Sequence, residues 1–320
     1  MTTTAITPTT STAIATADPL AEELASRWLR FAGLTAATMR TYKAALGDFR
    51  RFCREEGVTN PTREDVAAYR DGMAAEGLRP ATIRVRLVAV RLLFSWLASE
   101  GLYPNVAERV KLPPRKDRGH KRDYLKAEPL AKVIENAPGR NPEEWLRNRA
   151  MLLLMSCHGL RAVEVSRADV GDLSTTGGEF TLRIQGKGRE EKADQVALVP
   201  QVAEAIAAYL KRRGPAASDA PLFAATAPQC RGGRLSTRSI SGVAKGSMRA
   251  AGLDSPRLTC HSLRHSAVSL AAQAGATPVE LQRFARHSAF QTTEIYLHEL
   301  EDAANPCAGL VAGALFRALG

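Results

Sequence analysis

A basic stretch broken by proline and glycine, residues 111–126 (KLPPRKDRGHKRDYLK), splits this chain of 320 residues in two. It carries seven basic and two acidic side chains, a net of +5. Pro113, Pro114 and Gly119 break helices and favour extended chain. Residues 17–110 hold 14 basic against 12 acidic side chains and residues 127–320 hold 23 against 19, so nearly half of the total charge of +11 sits in this one segment. Two readings stand: a solvated hinge kept soluble by its charge, or a linker, Arg115 and Lys116 included, that tracks a phosphate backbone and displaces its counterions. So positive a balance favours a polyanionic partner, nucleic acid first of all.

Composition narrows the class further. Hydrophobic residues at 45% and charged residues at 24% are globular values. No apolar run approaches the ~18–20 residues that span a bilayer, which argues against membrane association. Residues 1–17, rich in Thr, Ala and Pro, read as a disordered leader and lack the basic start and apolar stretch of a secretory signal. The five cysteines are widely spaced and form no CxxC pair, which points to a reducing, cytoplasmic setting without a disulfide framework.

The first half is helical by its periodicity. A helix is expected over residues 18–31 with Leu20, Leu24, Trp28 and Phe31 on one face, and others over 36–56 and 80–99. Thr62 and Asp65 have the spacing of a capping box that opens a helix over 63–75. Gly57 and Gly101 stand where helix C-terminal glycines belong. A faint echo recurs at 44 residues: Gly33-Leu34, Thr38 and Arg40 match Gly77-Leu78, Thr82 and Arg84. It reads either as a pseudo-symmetric helix pair presenting arginines to DNA or as the ordinary likeness of two glycine-bounded amphipathic helices. In the second half, helices are expected over 127–137, 143–157, 161–167, 200–212, 236–251, 261–274 and 277–285. Residues 179–185 and 195–199 alternate as strands around GKGREEKAD, so a β-hairpin is expected within a largely helical domain.

Three stretches carry chemistry: Cys157-His158-Gly159-Leu160-Arg161 with Glu164, Cys260-His261-Ser262-Leu263-Arg264-His265, and Arg286-His287 with Tyr296. Together with Gly186-Lys187-Gly188 they resemble the signature of the tyrosine recombinases, of the phage lambda integrase and Xer type: G-L-R-x-x-E, a G-K-G hairpin, H-x-L-R-H, then a histidine ahead of a tyrosine. Each motif alone is weak, and their ordered combination over about 140 residues is specific. The resemblance covers residues 18–300 and implies a mainly α fold with a small β-hairpin or sheet, in two domains that form a C-shaped DNA clamp. A helical, SAM-like core-binding domain would occupy residues 18–107, the basic linker 108–125 and the tyrosine recombinase catalytic domain 126–320.

Breaking a phosphodiester without a metal needs a nucleophile, charge neutralisation on the non-bridging oxygens and a proton donor for the leaving oxygen. The resemblance makes Tyr296 the nucleophile. An unperturbed phenol of pKa about 10 is ionised in roughly one molecule in a thousand at pH 7, so its neighbours must take the proton. Arg161 and Arg264 offer planar forks that grip two phosphate oxygens while staying charged. By the resemblance His261 acts as base toward Tyr296, His287 steadies the transition state and Lys187 protonates the leaving oxygen. Glu164, one helical turn from Arg161, can orient its guanidinium. His265 either braces Arg264, touches the phosphate or is structural. Arg40, Lys43, Arg84 and Arg86 lie on helices suited to face DNA. His261 and His265 are spaced as metal ligands, but Leu and Arg stand between them and the expected Glu is missing, so no metal or other cofactor is expected. Cys157 and Cys260 read as small buried hydrophobes.

The chain departs from the family pattern at Arg286, where a glycine is usual, at His158, where threonine is commoner, and in a hairpin turn that is nearly neutral. The implied activity is site-specific DNA recombination through a 3′-phosphotyrosyl intermediate and a Holliday junction, at the nucleoid, on paired sites in double-stranded DNA. The implied assembly is a homotetramer, or a heterotetramer with a second recombinase, and the apolar tail around Leu310 either docks on a neighbouring protomer or folds back on its own domain. The competing readings are a type IB topoisomerase-like enzyme and a DNA-binding regulator that has lost catalysis.

Overall fold

The computed structural model describes residues 18–114, 123–186 and 191–286. The chain divides into two compact units, Met1–Arg118 and Gly119–Gly320.

The described part of the first unit holds four helices: α1 (Glu22–Phe31), α2 (Ala36–Glu55), α3 (Arg63–Ala75) and α4 (Pro80–Ser99). Thr62 opens α3 through the expected reciprocal cap: its backbone N–H donates to the Asp65 carboxylate at 2.8 Å and its hydroxyl accepts from the Asp65 N–H. The two helices of the 44-residue echo, α2 and α4, are both 20 residues long and pack on each other. Both are left by a glycine with positive φ, Gly57 at 67° and Gly101 at 69°. That backbone lets the Val58 N–H reach back to the Cys53 carbonyl at 2.7 Å and the Leu102 N–H to the Leu97 carbonyl at 2.9 Å. Between the helices Phe49 lies 5.1 Å from Tyr69 and 6.1 Å from Phe94, both edge-on. The expectation for α1 needs correction. Its buried stripe is Ala25, Trp28 and Leu29, and Phe31, expected on that face, falls on its solvent edge and is 74% exposed.

The described part of the second unit consists of α5 (Ala127–Glu135), α6 (Pro142–Cys157), α7 (Ala162–Arg167), β1 (Leu173–Thr176), β2 (Glu179–Ile184), β3 (Asp194–Ala197), α8 (Pro200–Arg213), α9 (Thr237–Ala250), α10 (Cys260–Gln273) and α11 (Pro278–Ala285). Helix α6 is its axis, with Met151, Leu154 and Met155 fully buried in one core with Val202, Ile206 and Tyr209 of α8. Asn141 and Pro142 start it: the Asn141 side chain accepts the Glu144 N–H at 2.9 Å, and proline suits a first turn that has no use for its N–H. Cys260 is buried as expected. Cys157 is not: it continues the row of Leu146, Arg149 and Leu153, which the core covers only in part, and it is exposed.

The sheet is larger than the expected hairpin. Strand β1 pairs antiparallel with β2, from Thr176 opposite Glu179 to Leu173 opposite Leu182. The connection is Gly177-Gly178, both with positive φ, as the tight two-residue hairpin turn demands. Strand β2 then pairs with β3 from Thr181 opposite Ala197 to Ile184 opposite Asp194, so the expected hairpin is present. Among the described residues no helix is long and apolar enough to cross a membrane.

The aromatic cluster at Phe49 should dominate the first unit's stability. Phe49→Ala is expected to cost about 3–5 kcal/mol in denaturant unfolding of the full chain, and a loss under about 1 kcal/mol would show that the cluster is not the keystone.

Candidate active site

Five of the eight catalytic and supporting candidates, Arg161, Glu164, His261, Arg264 and His265, lie in the described part of the second unit; Lys187, His287 and Tyr296, and the linker residues Arg115 and Lys116, lie outside the described residues. Helix α6 ends at Cys157, and Gly159, at φ 60°, turns the chain toward α7. A side chain there would meet the Phe284 ring only at an ordinary contact distance of 3.4 Å, so it is the positive φ that suits the turn to glycine. Arg161 then caps α7, with Glu164 in its first turn. One Glu164 oxygen accepts the Arg161 guanidinium at 2.8 Å, and the other accepts the Arg161 backbone N–H at 2.8 Å. The carboxylate therefore fixes both ends of the arginine.

Glu164 is fully buried. Burial alone would push its carboxyl up, but the Arg286 charge and the hydrogen bonds and charge of Arg161 outweigh it, and its pKa lies below the ordinary glutamate value. Arg286 reaches the same carboxylate at 3.1 Å. Arg264, 1% exposed, projects from α10 and donates to the carbonyls of Gly159 and Ala285. Arg161 keeps 23% of its side chain exposed and touches the Arg286 carbonyl at 3.4 Å. The turn after α6, the start of α7, the buried middle of α10 and the end of α11 thus meet around two arginines and one carboxylate. Such a cluster can bind a phosphodiester: its guanidiniums stay charged, and the one exposed to solvent can turn donors toward the ligand.

His261 and His265 stand one turn apart on α10, half-buried, with ring centroids 4.7 Å apart and planes near perpendicular. His261 lines an open cleft of about 440 Å³ with Ser241, Lys245 and Thr259. Among the described residues no group of three or more His, Cys, Asp or Glu side chains is placed to hold a metal ion. His158, at the end of α6, is buried; burial, then the Arg286 charge, lowers its pKa and favours the neutral ring, whose Nε2 accepts the Val199 N–H at 3.4 Å.

Sequence reading passed over a second cluster, at the base of the hairpin that carries Lys187. Lys192 donates to Asp169 at 2.5 Å and to Asp172, and Arg234 reaches Asp169 at 2.5 Å. Burial works against the Lys192 charge, but these hydrogen bonds raise its pKa. Arg167, at the far end of α7 from Arg161, donates to the Gly186 carbonyl at 3.3 Å, one residue before Lys187. The signal available was the i, i+3 pair Asp169 and Asp172 facing a lysine in an otherwise neutral turn.

In the first unit Arg40 and Lys43 are exposed on α2. Arg84 donates to the Pro113 carbonyl at 3.0 Å, and Arg86 pairs with Asp48 at 2.9 Å. These two arginines are tied into their own unit, so contact with DNA by either has to compete with those bonds.

The fold and the arginine site define a class, and the comparisons with known proteins agree with it. The model of the phage integrase family matches residues 124–302, and that of the phage integrase N-terminal SAM-like domain matches residues 30–101. The chain belongs to the phage integrase family and is a tyrosine site-specific recombinase. It is 32% identical to the tyrosine recombinase XerC of Rhodospirillum centenum, over 87% of this chain and 83% of that one. It is 31% identical to the tyrosine recombinase XerD of Mycobacterium tuberculosis, over 82% of this chain and 88% of that one. In fold it resembles the XerH site-specific recombinase bound to its difH substrate before cleavage, with a TM-score of 0.67 at 21% identity, covering 88% and 83% of the two chains. A lambda integrase dimer bound to a COC′ core site gives 0.64 at 19% identity, covering 86% and 76%.

The buried carboxylate makes a pH-dependent prediction. Because its pKa is lowered by folding, Glu164 stabilises the native state above its unfolded value of 4.5 and loses that contribution as pH falls through the lower native value. Glu164→Gln should destabilise the chain by roughly 3 kcal/mol at pH 7. That difference should shrink steadily below pH 4.5 in denaturant titrations, and a deficit unchanged down to pH 3 would refute the linkage.

Proposed function

We propose that Arg161, Lys187, His261, Arg264, His287 and Tyr296 act as one centre that cuts and rejoins DNA, supported by Glu164 and His265. Tyr296 attacks the scissile phosphate and forms a 3′-phosphotyrosyl bond, while Lys187 protonates the departing 5′-oxygen. Arg161 and Arg264 neutralise the charge that builds on the non-bridging oxygens, His261 accepts the tyrosine proton, and His287 steadies the same transition state. The link preserves the energy of the broken ester, so rejoining needs neither ATP nor a metal. Exchange of two strand pairs through a Holliday junction completes integration, excision or dimer resolution on paired sites in double-stranded DNA.

The observation that carries this reading is where the described chain approaches the candidates beyond it. The Gly186 carbonyl, one residue before Lys187, is held by Arg167 of α7, and the Arg286 carbonyl, one residue before His287, is held by Arg161 at the start of the same helix. The last described residues before both segments are therefore held from the two ends of one short helix. The family's relatives add the substrate: XerH and lambda integrase are bound to DNA sites in their complexes. In the other unit, Arg40 and Lys43 on the exposed side of α2 are suited to meet phosphates, and Arg115 and Lys116 to follow the backbone between the units. The working assembly is a homotetramer, or a heterotetramer with a second recombinase, acting in the cytoplasm at the nucleoid.

A suicide duplex tests this. A nicked duplex selected from a random-sequence pool by binding to the full chain should become covalently attached to the wild-type protein, with a metal chelator present. Tyr296→Phe should bind the same duplex within about threefold of wild type and yield no adduct. An adduct on the phenylalanine variant, or a strict magnesium requirement, would refute the scheme.

A further inference from the structure

Arg286 is the one non-glycine residue with positive φ among the described residues, at φ 51° and ψ 48°. An L residue resists this left-handed conformation because its Cβ crowds the following carbonyl, and glycine is the residue suited to it. A long, branched-head cation at such a position needs interactions that hold it there. Arg286 has them: its side chain is 14% exposed, and its guanidinium donates to the Phe284 carbonyl at 2.9 Å, to the Gly159 carbonyl at 3.2 Å and to the Glu164 carboxylate at 3.1 Å.

Two of these acceptors already serve the site. The Gly159 carbonyl also accepts from Arg264, and the Glu164 carboxylate also accepts from Arg161. The main chain joins in, because Arg161 donates to the Arg286 carbonyl and Arg264 to the Ala285 carbonyl. We propose that Arg286 is a positioning residue for strand cleavage: by sharing Glu164 with Arg161 and the Gly159 carbonyl with Arg264, it locks the two phosphate-binding arginines into one rigid unit and fixes the turn that leads into His287.

The charge balance explains why a third cation helps. Arg161 and Glu164 by themselves form a neutral pair, and a guanidinium whose charge a buried carboxylate cancels is a poor partner for a phosphate. Arg286 takes up part of that carboxylate's charge and one of its lone pairs. Arg161 then keeps its orientation from Glu164 while retaining positive potential for the ligand. Arg286 acts through Glu164 and Gly159, and its effect belongs to the chemical step and not to DNA capture.

The inference rests on the arginine site proposed above, and the test separates the two. Single-turnover adduct formation would be followed on the selected suicide duplex with Arg286→Ala, Arg286→Gly, Arg286→Lys, Glu164→Gln and the Arg286→Ala/Glu164→Gln double variant. Arg286→Ala and Arg286→Gly should each slow cleavage at saturating DNA by about tenfold to a hundredfold while duplex affinity changes by less than about threefold. Glycine matches the left-handed backbone, so its failure to restore the rate assigns the effect to the guanidinium. Arg286→Lys, which keeps the charge and one bond, should recover part of the rate lost in Arg286→Ala. The double variant should be no slower than Glu164→Gln alone, because both changes break one unit. Wild-type cleavage by Arg286→Gly, losses that multiply in the double variant, no recovery with lysine, or a loss of affinity equal to the loss of rate would each overturn the inference. If Arg286→Gly cuts at full speed while Tyr296→Phe forms no adduct, only this inference fails. If Tyr296→Phe still forms an adduct, the reading beneath it fails.

Discussion

A single carboxylate with no exposed surface organises the catalytic unit. Glu164 must ionise in a place where burial opposes its charge, and it does so because Arg161 and Arg286 close on it from two elements and the Arg161 backbone N–H caps its second oxygen. Charges desolvated in this way hold each other to short distances and narrow angles. The arginine that remains partly open to solvent is therefore presented in one orientation before any ligand arrives. The Gly159 carbonyl has the complementary role on the other side, gathering Arg264 and Arg286 onto one acceptor.

That arrangement suits a reaction in which protein charge meets developing charge on phosphate oxygens. Donors fixed beforehand need no reorganisation at the moment of reaction, and this is where such electrostatic stabilisation is most effective. The surrounding fold supplies the rigidity. Helix α6 delivers the Gly159 turn from a core shared with α8, α10 buries Arg264 nearly completely, and the short α7 connects the arginine cluster at one end to the base of the hairpin at the other. The ion pairs of Lys192 with Asp169 and Asp172 pin that base.

Much of this was legible in the sequence, and the misses have physical causes. Helices α2, α3 and α4 announce themselves because glycine and capping signals flank strongly periodic apolar faces, and the Thr62–Asp65 box needs only local geometry. Strand β1 escaped because Ser174, Thr175 and Thr176 show no apolar alternation, although the Gly177-Gly178 pair marked the turn that follows. Phe31 was assigned to a buried face on helical phase and Cys157 on residue type, and which face is covered depends on neighbours distant in sequence. Arg161, Glu164 and Arg264 could be singled out because the motifs that carry them are themselves local. Their mutual contacts were not readable: 103 positions separate Arg161 from Arg264, and only the folded α6–α7 turn brings them to neighbouring acceptors. Arg286 could be seen as unusual for its position, but the bonds that stabilise an arginine in a left-handed turn exist only in the tertiary structure.

The central claim is that the guanidinium held by Glu164 serves to neutralise a phosphate. The most direct measurement compares cleavage by the wild-type chain and Arg161→Ala on two versions of the selected suicide duplex, one with an ordinary scissile phosphate and one with an uncharged methylphosphonate in its place. If Arg161 neutralises charge, its removal should cost at least about a hundredfold on the phosphate and at least about tenfold less on the methylphosphonate. An equal deficit on both substrates would contradict the claim.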